Sequence, residues 1–209
     1  MNNFENIIKE TVNNNIDIFD LSLMNPEDTV VVVVDMINGF INEGPLASPR
    51  VKEIVPNVAN MMNLANENKI QVVSFVDTHE ADSVEFKSYP PHCIKGTSEA
   101  EMVDELKEIG TYTLIEKGST NGFIEPKFQE WLSKHHHIKN YIVTGCCTDI
   151  CVEGFVMTLN QYANANHKDI QIIVPVSCVE TYDAPNHDAN FMNNVSLYKF
   201  MCNGVKLVK

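Results

Sequence analysis

The sequence predicts an α/β fold: a doubly wound, three-layer α/β/α domain on a six-stranded, mostly parallel sheet. Three observations carry this. Residues 30–34 are five consecutive valines, apolar on both faces, as in a central parallel strand covered by helices on each side. Further short apolar runs follow at residues 70–76, 112–115, 141–144, 170–174 and 205–208. Segments with helical spacing of apolar residues separate these runs. No internal repeat or low-complexity linker interrupts the chain, so its 209 residues read as one domain spanning 1–209.

The elements are justified in order. Residues 1–25 form an N-terminal extension, in which Phe4, Ile7, Ile8 and Val12 predict an outer helix over 4–15. The valine strand ends on Asp35, and a loop rich in Gly, Asn and Pro leads to a helix over 51–66. The second strand runs into Asp77-Thr-His79. An excursion over 77–97 follows, with no regular element visible from residue 80 on; such excursions are often functional in compact domains. A helix over 99–109 precedes a short strand that ends at Glu116-Lys117, and another helix covers 126–134. The strand at 141–144 breaks at Gly145, after which Ile150, Val152, Phe155, Val156, Leu159 and Tyr162 recur at helical spacing. This predicts strand, tight turn and helix, with Thr148 or Asp149 as N-cap and Cys151 in the helix's first turn. A helix over 187–200 precedes the last strand.

In a parallel sheet the carboxyl ends of the strands share one edge, where open α/β sheets place their sites. Asp35, Lys117 and Cys151 all fall at or just past such ends, so they can converge from distant parts of the chain. A thiol beside the positive end of a helix and a lysine is favoured as thiolate, the nucleophilic form. A carboxylate can take its proton and return it to a leaving group. Taken singly, each residue also has an ordinary reading: a turn aspartate, a solvated lysine and an inert buried thiol. The excursion adds Asp77, His79, Glu85 and His92. Two imidazoles and two carboxylates suit Zn²⁺, Mn²⁺ or Fe²⁺ with room for water or substrate. Read alone, His79 and His92 could equally be loop histidines with ordinary hydrogen bonds.

Composition narrows the function. A net charge of −13 argues against nucleic acid, whose phosphates need clustered cations. No apolar run approaches the length that crosses a bilayer, so no membrane role is expected. There is neither Gly-x-Gly-x-x-Gly nor Gly-x-x-x-x-Gly-Lys-Ser/Thr, so a bound dinucleotide or nucleoside triphosphate is unsupported. Residues 1–20 lack a basic stretch followed by an apolar block, and Cys146 and Cys147 are adjacent. We therefore expect a cytoplasmic protein with all six cysteines reduced.

The motifs taken together resemble the isochorismatase-like cysteine hydrolases, and among them the nicotinamidases. The family's opening Asp-x-x-x-x-Phe stands as Asp35-Met-Ile-Asn-Gly-Phe40, its lysine motif as Glu116-Lys117-Gly-Ser, and its nucleophile motif as Gly145-Cys-Cys-Thr-Asp-Ile-Cys151-Val152. The stretch Tyr89-Pro-Pro-His92-Cys93-Ile-Lys-Gly96-Thr97 resembles the nicotinamidase metal loop. The resemblance implies a Rossmann-like fold and a catalytic triad of Asp35, Lys117 and Cys151. It implies a cis peptide, placed here between Cys146 and Cys147, and an oxyanion hole from the backbone N–H groups of Cys147 and Cys151. It also implies one divalent transition metal, zinc before manganese or iron, held by Asp77, His79, Glu85 and His92. Phe40 and Tyr89 would then wall a flat ring. The implied reaction is hydrolysis of nicotinamide to nicotinate and ammonia through a thioester, a step of NAD salvage. A small amide is the implied partner, with assembly as a homo-oligomer. Two positions depart from the family pattern: Ile37 stands for a usual Gln and Gly39 for a usual acid. They keep open a hydrolase of another small amide or ureide; a metal-binding domain without turnover is the remaining alternative.

Overall fold

The computed structural model describes residues 3–209. Its sheet has eight strands: β1 (Ile16–Asp17), β2 (Thr29–Val34), β3 (Gln71–Asp77), β4 (Thr113–Lys117), β5 (Asn140–Cys146), β6 (Gln171–Pro175), β7 (Val179–Glu180) and β8 (Lys206–Val208). The order is β1-β8-β6-β5-β2-β3-β4, with β7 paired to the end of β5, and every strand pair is parallel. The six expected strands are all present. The two added ones, β1 and β7, have two residues each, too few for any periodicity to show.

The valine run explains the layering. Side chains alternate across a strand, so Val30, Val32 and Val34 enter one core and Val31 and Val33 the other. The first core is closed by α1 (Asn3–Asn13), α6 (Pro126–Lys134), α7 (Glu153–Ala165) and α8 (Ala189–Cys202), through Val12, Phe128, Phe155 and Phe200. The second is closed by α2 (Asn38–Ile41), α3 (Pro49–Glu53), α4 (Val55–Glu67) and α5 (Asp104–Lys107), through Phe40, Val51, Val58 and Leu106. The chain winds outward from β2 to β3 and β4, then returns to β5 and winds the other way. The reversal therefore lies between β2 and β5, where a crevice opens beyond the strand ends.

Three local expectations are corrected. The helix over 51–66 is two pieces, α3 and α4, which meet at Ile54 just before Pro56. The helix over 99–109 shrinks to α5. Backbone pairing wins there: Met102 bridges Ile37, Asn38 N–H donates to the Glu101 carbonyl (2.9 Å), and Val103 N–H donates to the Met36 carbonyl (3.1 Å). Between β5 and α7 the chain makes a π turn over Thr148–Val152, with Val152 N–H bonded to the Cys147 carbonyl five residues back (3.1 Å). Cys151 sits in that turn and not in the first turn of α7. Neither Thr148 nor Asp149 caps the helix; the position before α7 is Val152, already helical.

Candidate active site

Three strand ends deliver charged side chains to one buried point. Asp35 follows β2 in the left-handed backbone region (φ 54°), which Asp enters more readily than most residues. Asp77 ends β3, Lys117 ends β4, and the two are register partners. Lys117 Nζ lies 2.6 Å from Asp77 Oδ1, 2.9 Å from Asp35 Oδ2 and 3.7 Å from Cys151 Sγ. It also donates to the Ser119 carbonyl at 3.0 Å. The convergence expected of Asp35, Lys117 and Cys151 is thus present, and Asp77 joins it.

Charge arithmetic separates the two carboxyls. Two carboxylates and one ammonium leave one buried negative charge in excess, and burial penalises it. Asp77 keeps its charge: Lys117 and the two histidines hold its carboxyl far below the usual range against the cost of burial. Asp35 gives way. Burial raises it to about 6, with Lys117 pulling down and the nearby Asp77 charge pushing up. Its contact with Lys117 is at ion-pair distance but off a hydrogen-bonding direction, and both its oxygens are buried without a hydrogen-bond partner. This is a carboxylate ready to receive a proton.

The thiol differs from the sequence expectation. Cys151 is 7% exposed, and burial pushes its pKa well above the ordinary thiol value, outweighing the pull of Lys117. It rests protonated, and ionising it needs an acceptor. Among the extra thiols, Cys146 is buried and donates to the Asp35 carbonyl (3.2 Å), whereas Cys147 is half-buried and faces the cavity. The Cys146–Cys147 peptide is cis, and all six cysteines are free.

Beside this point, one ligand atom each from Asp77, His79, Glu85 and His92 lies within 4.8 Å of the others. The donor chemistry fits a metal. Asp77 Oδ2 is 3.0 Å from Nε2 of both His79 and His92. His92 Nδ1 bonds the Pro90 carbonyl (2.8 Å) and His79 Nδ1 meets Ser83 Oγ at 3.3 Å, so each ring turns its Nε2 toward Asp77. Histidines whose outer nitrogen is tied in this way are oriented for ligation. Glu85 Oε1 stands farther off, 3.8 Å from His79 Nε2. The excursion that carries the set is pinned by backbone bonds: His79 N–H to the Cys93 carbonyl and Lys95 N–H to the His79 carbonyl, both 2.9 Å.

A cavity of about 340 Å³ joins the two centres, within the range of small-ligand sites. Phe40 and Tyr89 line it, as expected, with their rings 5.9 and 6.0 Å from that of His92. Asp77, Glu85, His92, Cys147 and Cys151 also line it. Residues 45–49 and the segment Tyr182, Asp183 and Ala184 complete the wall. Sequence reading missed that segment, since an Asp-, Pro- and Asn-rich loop carries no periodicity. It also missed Phe86, packed edge-on against both His79 and His92. His187 at the end of that segment is half-buried and bonded to Asp149 (2.7 Å).

The two departures do not reach the cavity. Ile37 is fully buried in the second core. Gly39 lies where a Cβ would meet Cys93 Sγ at 2.6 Å and the Glu99 carbonyl at 3.0 Å.

Comparisons with known proteins show the family and the fold. The chain is 32% identical to nicotinamidase 1 of Arabidopsis thaliana, over 89% of this chain and 88% of that protein. The crystal structure of nicotinamidase from Bacillus subtilis superposes with a TM-score of 0.71 at 23% identity, over 87% of this chain and 99% of that one. The pyrazinamidase of Pyrococcus horikoshii, solved in complex with zinc, gives a TM-score of 0.71 at 22% identity, over 87% of this chain and 99% of that one. The isochorismatase domain model matches residues 29–200, from the valine strand to the end of α8, and the chain belongs to the isochorismatase domain family.

Proposed function

We propose that the protein is a nicotinamidase, a cysteine amidohydrolase that converts nicotinamide and water to nicotinate and ammonia. The observation that carries this is the convergence of Asp35, Lys117 and Cys151 on a cavity whose next wall is the Asp77, His79, Glu85 and His92 cluster. The similarity to an Arabidopsis thaliana nicotinamidase supports it.

In this mechanism Asp35 takes the Cys151 proton as sulfur attacks the carboxamide carbon. Backbone N–H groups of Cys147 and Cys151 hold the oxyanion. Collapse breaks the C–N bond, and Asp35 returns its proton to the leaving ammonia. Water then gives a proton to Asp35 and attacks the thioester. The acid product leaves, and the proton restores the thiol. Lys117 stays charged throughout: the surrounding acids hold its pKa well above the ordinary value against the cost of burial. It offsets the negative charge that moves between sulfur, Asp35 and oxyanion. Phe40 and Tyr89 bracket the ring. Asp77, His79, Glu85 and His92 would hold a divalent metal, zinc before manganese or iron, which would supply a Lewis-acidic anchor for the substrate ring. The setting is cytoplasmic, with the chain assembled as a homo-oligomer.

The test is ammonia release from nicotinamide by the purified protein, with and without a chelator, beside Cys151→Ala. Release is expected only from the metal-loaded, reduced wild type. No release from that sample would reject nicotinamide as substrate and direct the search to other small amides and ureides.

A further inference from the structure

The cavity wall contains an aromatic ring that the mechanism above does not use. Tyr182 follows β7, whose pairing with the end of β5 (Gly145 with Val179, Cys146 with Glu180) brings the chain out of the sheet beside the nucleophile turn. One face of the Tyr182 ring is covered by His187: the centroids are 3.9 Å apart and the planes differ by 8°. His187 Nδ1 bonds the Tyr182 carbonyl (2.9 Å) and Nε2 meets Asp149 Oδ2 (2.7 Å). Asp149 belongs to the π turn that carries Cys151, and its side chain is 4% exposed. Reciprocal backbone bonds between Ala184 and His187 (3.0 and 2.9 Å) close the segment on itself.

Both flanks are also anchored. Arg50 bonds Glu180 (3.0 Å) and Asn190 (3.1 Å), which ties the segment to the stretch that forms the wall over residues 45–49. Asp183 accepts from Ala189 N–H (3.1 Å) at the start of α8. Such a ring, supported on one face and fixed at both flanks, is preorganised, so holding a ligand against it costs little ordering. Tyr182, Tyr89 and Cys147 all line the same cavity as Cys151.

We propose that Tyr182 is a specificity-determining wall of this site, and that His187, held by Asp149, is the positioning residue that sets its ring. Together they select flat, ring-bearing acyl groups over open-chain ones at Cys151. The proposal rests on the cysteine-hydrolase reading and names the substrate class within it. Stacked aromatic contacts of this kind change relative affinity by about threefold to tenfold.

The test uses two electrophiles, iodoacetamide and N-phenyl iodoacetamide, with Cys151 labelling followed by peptide mass. Each variant is scored as the ratio of its two rates, so a general loss of reactivity cancels. Wild type and Tyr182→Phe are expected to share a ratio favouring the phenyl reagent, with Tyr182→Ala and His187→Ala reducing it about threefold to tenfold. A ratio unchanged in Tyr182→Ala overturns the wall. A ratio unchanged in His187→Ala, with that rate lowered equally for both reagents, overturns the positioning role. Wild type labelled at Cys151 but inert toward nicotinamide sinks the nicotinamide assignment and leaves the ratio to judge the wall. No labelling of Cys151 by either reagent removes both readings.

Discussion

Asp35 has a raised pKa for a reason that predicts how the protein responds to pH. Its carboxyl is fully buried, makes no well-directed hydrogen bond on either oxygen, and sits at about 6, raised by burial against the pull of Lys117. The active form of a general base is the unprotonated one. Activity should therefore be full above that value and fall as pH drops through it, by about tenfold per unit well below it. The expected measurement is a single acidic limb near pH 6 in kcat/KM for nicotinamide. A profile flat down to pH 4.5 would show that Asp35 is not the base whose protonation limits the reaction. The same reasoning gives the roles of its neighbours. Cys151 is held as a thiol by burial, so Lys117 alone does not supply a thiolate. Asp77 is held ionised, bonding Lys117 on one oxygen and His79 and His92 on the other. One buried lysine thus joins the two chemistries of the site.

At the scale of elements, two glycines show how tightly the site-bearing loops are fitted. Gly145 ends the β5–β2 pairing with φ 112°, and a Cβ there would fall 2.0 Å from the Val34 carbonyl oxygen. Gly39 meets a side-chain sulfur and a carbonyl at looser distances. Gly39→Ala should cost about 1–3 kcal/mol, in the range of overpacked cores, and Gly145→Ala more, because the obstruction is strand backbone. Urea midpoints would check the ranking; a neutral Gly145→Ala would contradict the backbone placement.

The same elements show what a sequence displays and what it hides. Five valines in a row announce β2 because burial on both faces leaves no polar position. The strand-end positions of Asp35, Lys117 and Cys151 follow from parallel topology, so their meeting was legible. The helix expected over 99–109 does not form, because Met102 and Val103 are claimed by backbone pairing to residues 36–38, a tertiary effect local spacing cannot show. The π turn and the stack of Tyr182 on His187 leave no periodic trace. Nor does the rise in the Cys151 pKa, which depends on burial that only the assembled site reveals.

For the whole molecule, the question is whether the metal cluster builds the fold or rides on it. The excursion that carries His79, Glu85 and His92 is already fastened by backbone bonds, and Cys93 N–H donates to Glu99 (2.9 Å). The two apolar cores are made by the sheet and its helices, and the cluster meets the second through His92 against Phe40 (ring centroids 5.9 Å apart). A metal-free protein should therefore unfold cooperatively, and zinc should raise its Tm without being needed to fold it. Ligand present at about a hundred times its Kd adds about 2.7 kcal/mol. For a domain of this size that is about 5–10 °C. A chain of net charge −13 can also collect zinc on surface carboxylates, so the comparison that decides is His92→Ala, which removes one imidazole and leaves that surface alone. The shift should vanish in His92→Ala and on adding chelator to wild type. An equal rise in both proteins would place the stabilising zinc elsewhere, and His79 and His92 would then serve only as hydrogen-bond partners of the Asp77 carboxylate.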